Sequence, residues 1–150
     1  TGCRIGYAVA NATITGALKT VLPHMTGNPA AVSQAAATAA LTGSQESVVQ
    51  MKAGFKHRRD VIYPQLAALP GFKLTKPAGA FYFFPDVTGA MALKGVASTA
   101  EFVTQVLNEA HVATVTGEAF GLPGHIRLSY ATNLDTLQTA VDRLKAFINA

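Results

Sequence analysis

The apolar positions of this chain change period along its length, and the period separates predicted helices from predicted strands. Near the start, Ile5, Tyr7 and Val9 alternate with Arg4, Gly6 and Ala8, which predicts a short strand. Residues 11–16 read as a turn and residues 17–24 as a short helix. Gly27-Asn28-Pro29 breaks the pattern, and Pro29, near a first helical position, opens a helix over 30–41 that ends at Thr42-Gly43. Ser44 is a candidate N-cap for a longer helix in which Val48, Met51, Phe55, Ile62 and Leu66 keep a rough helical period. Pro64 is expected to kink that helix or restart it, and Pro70-Gly71 to close it.

Beyond that point strands and helices mix. Residues 72–75 and 79–84 read as two strands joined by Lys76-Pro77-Ala78, and 86–98 as a loop of small residues. Residues 99–110 are amphipathic at helical spacing, with Phe102, Val103, Val106 and Leu107 inward and Glu101 and Glu109 outward. Strands at 112–116 and 125–131 flank a glycine-rich turn at 117–124. Asn133 or Asp135 caps a last helix carrying Leu137, Val141, Leu144 and Ile148 on one face. The chain shows no internal repeat and no linker, and its element order predicts an α/β fold.

Composition sharpens this picture in one respect. Of the 150 residues 49% are hydrophobic and only 13% charged, against roughly a quarter charged in ordinary soluble domains. A membrane span is a poor explanation, because no apolar run approaches the roughly 20 residues a spanning helix needs. Residues 30–41, mostly Ala and Thr, are too short. The excess apolar surface is therefore read as an interface, covered by further chain or by a second subunit. The chain opens at Thr1-Gly2 without an initiator Met, straight into an apolar segment, which is the expectation for a fragment. Net charge is +4, but Lys52, Lys56, Arg58 and Arg59 form the one basic cluster, on a helix read as solvated, so no nucleic-acid footprint is expected. With a single cysteine and no leader pattern, a reducing cytoplasm is the expected location.

Candidate chemistry is sparse. His24, His57, His111 and His125 fall on separate elements, and no spacing supports a shared metal site. Cys3 is expected as a small buried hydrophobe. Two arginines stand apart. Arg127 lies in a strand whose Ile126, Leu128 and Tyr130 share one face, so Arg127 and Ser129 point the other way. Either it is buried and needs an anion, which its planar fork would grip bidentately, or it is an exposed edge-strand arginine. Arg4, between Gly2 and Gly6, either clamps a phosphate against closely packed backbone or is a surface residue of a tight strand.

Four segments in order resemble a known family. Thr1-Gly2-Cys3-Arg4-Ile5-Gly6-Tyr7, then Asn28-Pro29 with Gln34, then Pro77-Ala78-Gly79-Ala80-Phe81-Tyr82-Phe83-Phe84-Pro85 resemble class I/II pyridoxal-phosphate-dependent aminotransferases. Gly117-Glu118-Ala119-Phe120-Gly121 with Ile126-Arg127-Leu128-Ser129-Tyr130 is similar to that family's ending. The resemblance is to the aspartate aminotransferase group, C-terminal portion. It implies that residues 1–43 end a large cofactor-binding domain, and that 44–150 form a connecting helix and a small α+β domain with a few-stranded sheet under helices. It implies pyridoxal 5'-phosphate as cofactor, with Arg4 on its phosphate and Arg127 on the substrate α-carboxylate. Amino-acid and 2-oxo acid substrates, a ping-pong cycle and a homodimer follow from it.

By the family pattern the lysine that forms a Schiff base with the cofactor lies roughly five residues before Thr1. No catalytic residue is therefore expected within the chain, and Lys19, Lys73 and Lys76 lack the family's context for a substitute. Cys3 departs from a position often aromatic in the family. Pro23-His24-Met25-Thr26 stands where some aspartate-specific members carry an arginine for a second carboxylate, which argues against that subgroup's side-chain recognition. Two further readings stand beside this one: a lyase or synthase of the same fold, and a non-catalytic interaction module.

Overall fold

The structure is a computed structural model that describes residues 2–150. The chain divides into two compact units, Thr1–Val49 and Gln50–Ala150.

In the first unit two helices form, α1 (Ala12–Met25) and α2 (Ala31–Thr42). α1 starts earlier than its apolar pattern suggests, because the Asn11 side chain accepts the Ile14 amide at 3.0 Å and satisfies a first-turn donor. The predicted turn at 11–16 is thus the first turn of a helix. α2 has Ala30 at its N-cap, so Pro29 lies just before the helix rather than near its first position, and the Gln34 side-chain amide reaches back to the Pro29 carbonyl at 2.9 Å. Threonine hydroxyls bond back to carbonyls a turn earlier, as in Thr38 to Gln34 and Thr42 to Thr38. Neither helix has a buried residue. Residues 5–10 carry no strand, since none of the described residues pairs with them.

The long helix α3 (Glu46–Ala67) begins two residues after Ser44, whose hydroxyl accepts the Glu46 amide at 3.3 Å. It runs through Pro64 without interruption. Its C-terminal part belongs to the second unit, where Ile62 and Leu66 are buried.

The second unit is built on a three-stranded antiparallel sheet, β1 (Tyr82–Phe83), β2 (Val115–Thr116) and β3 (Ile126–Ser129), in the order β1-β3-β2. Tyr82 faces Ser129 and Phe83 faces Leu128 on one side of β3; Val115 faces Arg127 and Thr116 faces Ile126 on the other. The predicted strands are longer than those that form. Of 72–75 only Lys73 is bridged, to Asp86, and Asp86 is bridged in turn to His125. The stretch 79–84 contracts to two residues because Ala80 takes a left-handed φ of 58° and leaves the extended path.

The predicted loop at 86–98 contains a helix, α4 (Thr88–Leu93). Its start is secured by Asp86, whose carboxylate accepts the Thr88 amide at 2.9 Å and the Thr88 hydroxyl at 2.6 Å. Next come α5 (Thr99–Gln105), capped by Ser98, and a π-helical turn Val106–Ala110 that ends at His111 with φ 55°. The last helix, α6 (Leu134–Asn149), is capped by Asn133, which accepts the Thr136 amide at 2.8 Å.

Alternation and helical period meet in one core. Ile126, Leu128 and Tyr130 of the β3 segment, Phe102 and Val106, and Leu137, Val141, Leu144, Phe147 and Ile148 of α6 are all buried together with Ile62 and Leu66. Leu107, expected inward, is half-exposed. Tyr130 donates its hydroxyl to the Ala80 carbonyl at 3.0 Å, tying the strained bend before β1 to the end of β3.

Candidate functional site

Arg127 resolves the choice left open by its strand. β3 is the middle strand, paired on both sides, so the residue lies neither on a sheet edge nor fully exposed. Its guanidinium carbon stands 4.6 Å from the centroid of the Tyr82 ring and 4.9 Å from that of Phe120. Both distances fall within cation–π range. Among the described residues, no carboxylate pairs with Arg127 and no hydrogen bond engages its fork. The guanidinium therefore rests over two aromatic rings and has uncommitted donors.

Two local structures put the rings there. Tyr82 sits opposite Ser129 in the β1–β3 ladder, and Ser129 shares its sheet face with Arg127, so Tyr82 is the diagonal neighbour of the arginine. Phe120 ends a 3₁₀ turn, Gly117–Phe120, that leaves β2. That turn is closed by hydrogen bonds from the Gly117 amide to the His125 carbonyl at 2.7 Å and from the Leu122 amide to the Gly117 carbonyl at 3.0 Å. A Cβ on Gly117 would collide with the Leu122 carbonyl oxygen, so the turn closes only around glycine. Gly121 then takes φ 75° to reverse the chain.

Neighbouring polar groups are already occupied. Glu118, on the same turn, is held below the usual carboxylate range by its own backbone amide, then by the Thr99 and Thr116 hydroxyls. The buried Thr99 hydroxyl also accepts the Gly124 amide at 2.8 Å. Phe120 meets Phe84 edge-on at 5.8 Å, and Phe84 stacks on the His125 ring at 5.3 Å.

Arg4 lies in the first unit. It is exposed, has φ 47°, and lines a shallow hollow with Cys3, Ile5 and Gly6. The Cys3 carbonyl is taken up by the Ser33 hydroxyl at 2.7 Å, which anchors the segment to α2. Among the described residues no carboxylate pairs with Arg4. The flanking glycines are not required for close packing here, because a Cβ on Gly2 or Gly6 would meet nothing within 4 Å. Cys3, expected to be buried, is exposed, since the first unit encloses no core to receive it.

The basic helix cluster also differs from its expectation. Lys52 and Lys56 are exposed, but Arg58 and Arg59 are partly buried. Arg58 stacks over Phe55 at 4.7 Å and donates to the Tyr130 carbonyl at 3.2 Å. Arg59 donates to the Pro77 carbonyl at 3.1 Å and pairs with Asp60 at 2.9 Å, while Lys76 reaches Asp60 at 2.8 Å. These contacts hold the segment leading to β1. Hydrogen bonds from Lys76 and then Arg59 keep the Asp60 carboxyl below its ordinary range. The histidines stand on separate elements: His24 in α1, His57 in α3, His111 after the π-helical turn and His125 before β3.

Sequence reasoning found both arginines but missed Tyr82 and Phe120 as the partners of Arg127. The signal was present only in part: a glycine-flanked aromatic in Ala119-Phe120-Gly121 marks a turn, and not what the ring touches.

Comparison with known proteins places the chain. The profile of the family "Aminotransferase class I and II" matches residues 1–144. The chain is 47% identical over 148 residues to an aspartate aminotransferase of Bacillus sp. (strain YM-2), covering 99% of this chain and 38% of that relative. It is likewise 47% identical over 148 residues to an asparagine–oxo-acid transaminase of Streptococcus mutans, again covering 99% and 38%. Among solved structures, the aspartate aminotransferase of Rhizobium meliloti superposes with a TM-score of 0.85 at 35% identity, over 99% of this chain and 38% of the other. The chain thus spans little more than a third of the length of the relatives it matches. Its helices and small antiparallel sheet are those of the C-terminal part of these proteins, and the chain belongs to the class I and II aminotransferases.

Proposed function

We propose that this chain is the C-terminal portion of a pyridoxal 5'-phosphate-dependent transaminase that moves an amino group between an amino acid and a 2-oxo acid in ping-pong order. The observation that carries the reading is the Arg127 guanidinium, half-buried on the central strand over two ring faces with no carboxylate partner among the described residues. A cation so placed suits a bidentate grip on an α-carboxylate. Arg4 suits the cofactor phosphate: it is an uncommitted cation in a hollow whose backbone is anchored through Ser33. When bound, the cofactor supplies an electron sink beside the Cα–H bond of the amino acid. The work of this chain is to hold anionic groups and orient that bond.

On this reading residues 1–43 end the large cofactor-binding domain, and 44–150 form the connecting helix and small domain. Catalysis needs the lysine contributed by residues outside the 150, so the chain alone carries no transaminase activity. The apolar side chains exposed in the first unit, Tyr7, Val9, Met25 and Val32 among them, are covered by the rest of the protein and by the second subunit of a homodimer. A cytoplasmic location fits the single, exposed Cys3. The relatives named for aspartate and asparagine support one of these as the amino donor.

In the full-length protein, Arg127→Ala is expected to lower kcat/KM for the amino acid at least about thirtyfold, the cost of removing one partner of a buried charge pair. Arg4→Ala is expected to weaken cofactor retention instead, read as free cofactor after dialysis. An Arg127→Ala enzyme with unchanged kcat and KM overturns the assignment.

A further inference from the structure

The Arg127 guanidinium meets aromatic faces supplied by two unrelated elements. Tyr82 arrives through strand register, diagonal to Arg127 on the same sheet face. Phe120 arrives through the glycine-closed turn after β2. Phe120 is 50% exposed, an unusual setting for a phenylalanine whose ring nonetheless has fixed neighbours: Phe84 at its edge and Arg127 at its face. Tyr82 is backed in the same way by Phe81, at 4.5 Å between ring centroids. Neither aromatic is in the buried core, so burial alone does not account for them.

We propose that Tyr82 and Phe120 are positioning residues that clamp the Arg127 guanidinium in one plane and direct its free edge at a carboxylate. A guanidinium donates only in its own plane, and its faces accept no hydrogen bond. Two rings packed against the cation restrict rotation of the group, keep water from the sides they cover, and leave the remaining donors as the route to a partner. An aliphatic side chain of similar bulk would cover area without the quadrupole that attracts the cation. The clamp thus lowers the ordering cost of forming the fork-to-carboxylate contact. This role rests on the reading of Arg127 as a carboxylate anchor, and the test separates the two.

The full-length protein labelled with ¹³C,¹⁵N-arginine serves for the experiment, the Arg127 side-chain resonances being assigned by their loss in Arg127→Lys. Two quantities are read by NMR: the rate of rotation about the Arg127 Nε–Cζ bond, and the affinity for succinate from its titration. Phe120→Leu and Tyr82→Leu are each expected to speed rotation, to remove the ring-current shift of the Arg127 Nε–H, and to weaken succinate binding about five- to tenfold. Phe120→Tyr and Tyr82→Phe, which keep a ring, are expected to restore both readouts. The amide spectrum of α6, remote from the turn, reports that each variant is folded. Full-length wild-type protein that takes up no succinate overturns the carboxylate reading, while the rotation rates still decide the clamp. Rotation and affinity unchanged in both leucine variants overturn the clamp and leave Arg127 as an anchor.

Discussion

The two units of the chain solve the problem of apolar side chains in opposite ways. Residues from Gln50 onward gather twenty-one buried hydrophobic residues into one core. In the first unit neither α1 nor α2 buries any residue, although Val21, Leu22, Val32 and Leu41 are all apolar. Its helices persist on local interactions, a side-chain cap at Asn11 and hydroxyl-to-carbonyl bonds, with one longer-range tie from Ser33 to Cys3. Propensity and caps can specify a helix, whereas a core requires elements that come back together from distant parts of the chain.

The largest effects that sharpen this contrast belong to the core. Phe102→Ala, at a residue with no exposed surface that packs edge-on to Phe147, is expected to cost about 3–5 kcal/mol. Val32→Ala on the open face of α2 is expected to stay within about 0.5 kcal/mol. Urea denaturation of both variants measures the gap, and equal losses would erase the distinction between the units.

Next in size is the turn that carries Phe120. Gly117→Ala places a methyl group against the Leu122 carbonyl and is expected to cost about 1–3 kcal/mol. It should also displace the Arg127 Nε–H resonance, which a loss of core stability elsewhere would not do.

Capping gives a smaller and more selective comparison. Asn11→Ala and Asn133→Ala each remove one cap, worth about 1 kcal/mol. In α6 the buried face keeps the helix folded and the loss appears as a lower midpoint. In α1, without such a face, the first turn should fray, read as faster amide hydrogen exchange at Ile14 and Thr15.

Acid pH should loosen one unit and leave the other nearly unchanged. Hydrogen bonds from Lys76 and Arg59 lower the Asp60 pKa, and those from the Thr88 hydroxyl and amide lower that of Asp86. A carboxyl with a lowered folded pKa contributes stability above the unfolded value, about 3.9 for aspartate, that is lost as pH falls through the folded one. The second unit should therefore loosen in that window. The first unit has Glu46 as its sole acidic residue and should change little there, which amide hydrogen exchange in α1 against α6 would report.

Wherever neighbours in sequence are the relevant partners, the sequence was readable. The helical period of Leu137, Val141, Leu144 and Ile148 placed one face of α6 in the core, and Asn133 marked its start. Alternation through Ile126, Leu128 and Tyr130 set the buried face of β3, and so the opposite face for Arg127. It failed where a short polar contact outweighed composition. α4 lies in what reads as a loop of small residues because Asp86 caps it through Thr88, and Ala80 cuts a predicted strand short by turning left-handed.

By itself, then, the sequence determined the buried face of α6 and its start, the alternation of β3 and the identity of two arginines worth attention, because each depends on residues within a turn or a pleat of one another. Only the tertiary structure decided that β3 lies in the middle of its sheet, that Cys3 is exposed, and that Arg127 stands over the rings of Tyr82 and Phe120. Those facts follow from strand register and from a turn that closes only around Gly117, and such long-range pairings leave no period in the chain to read.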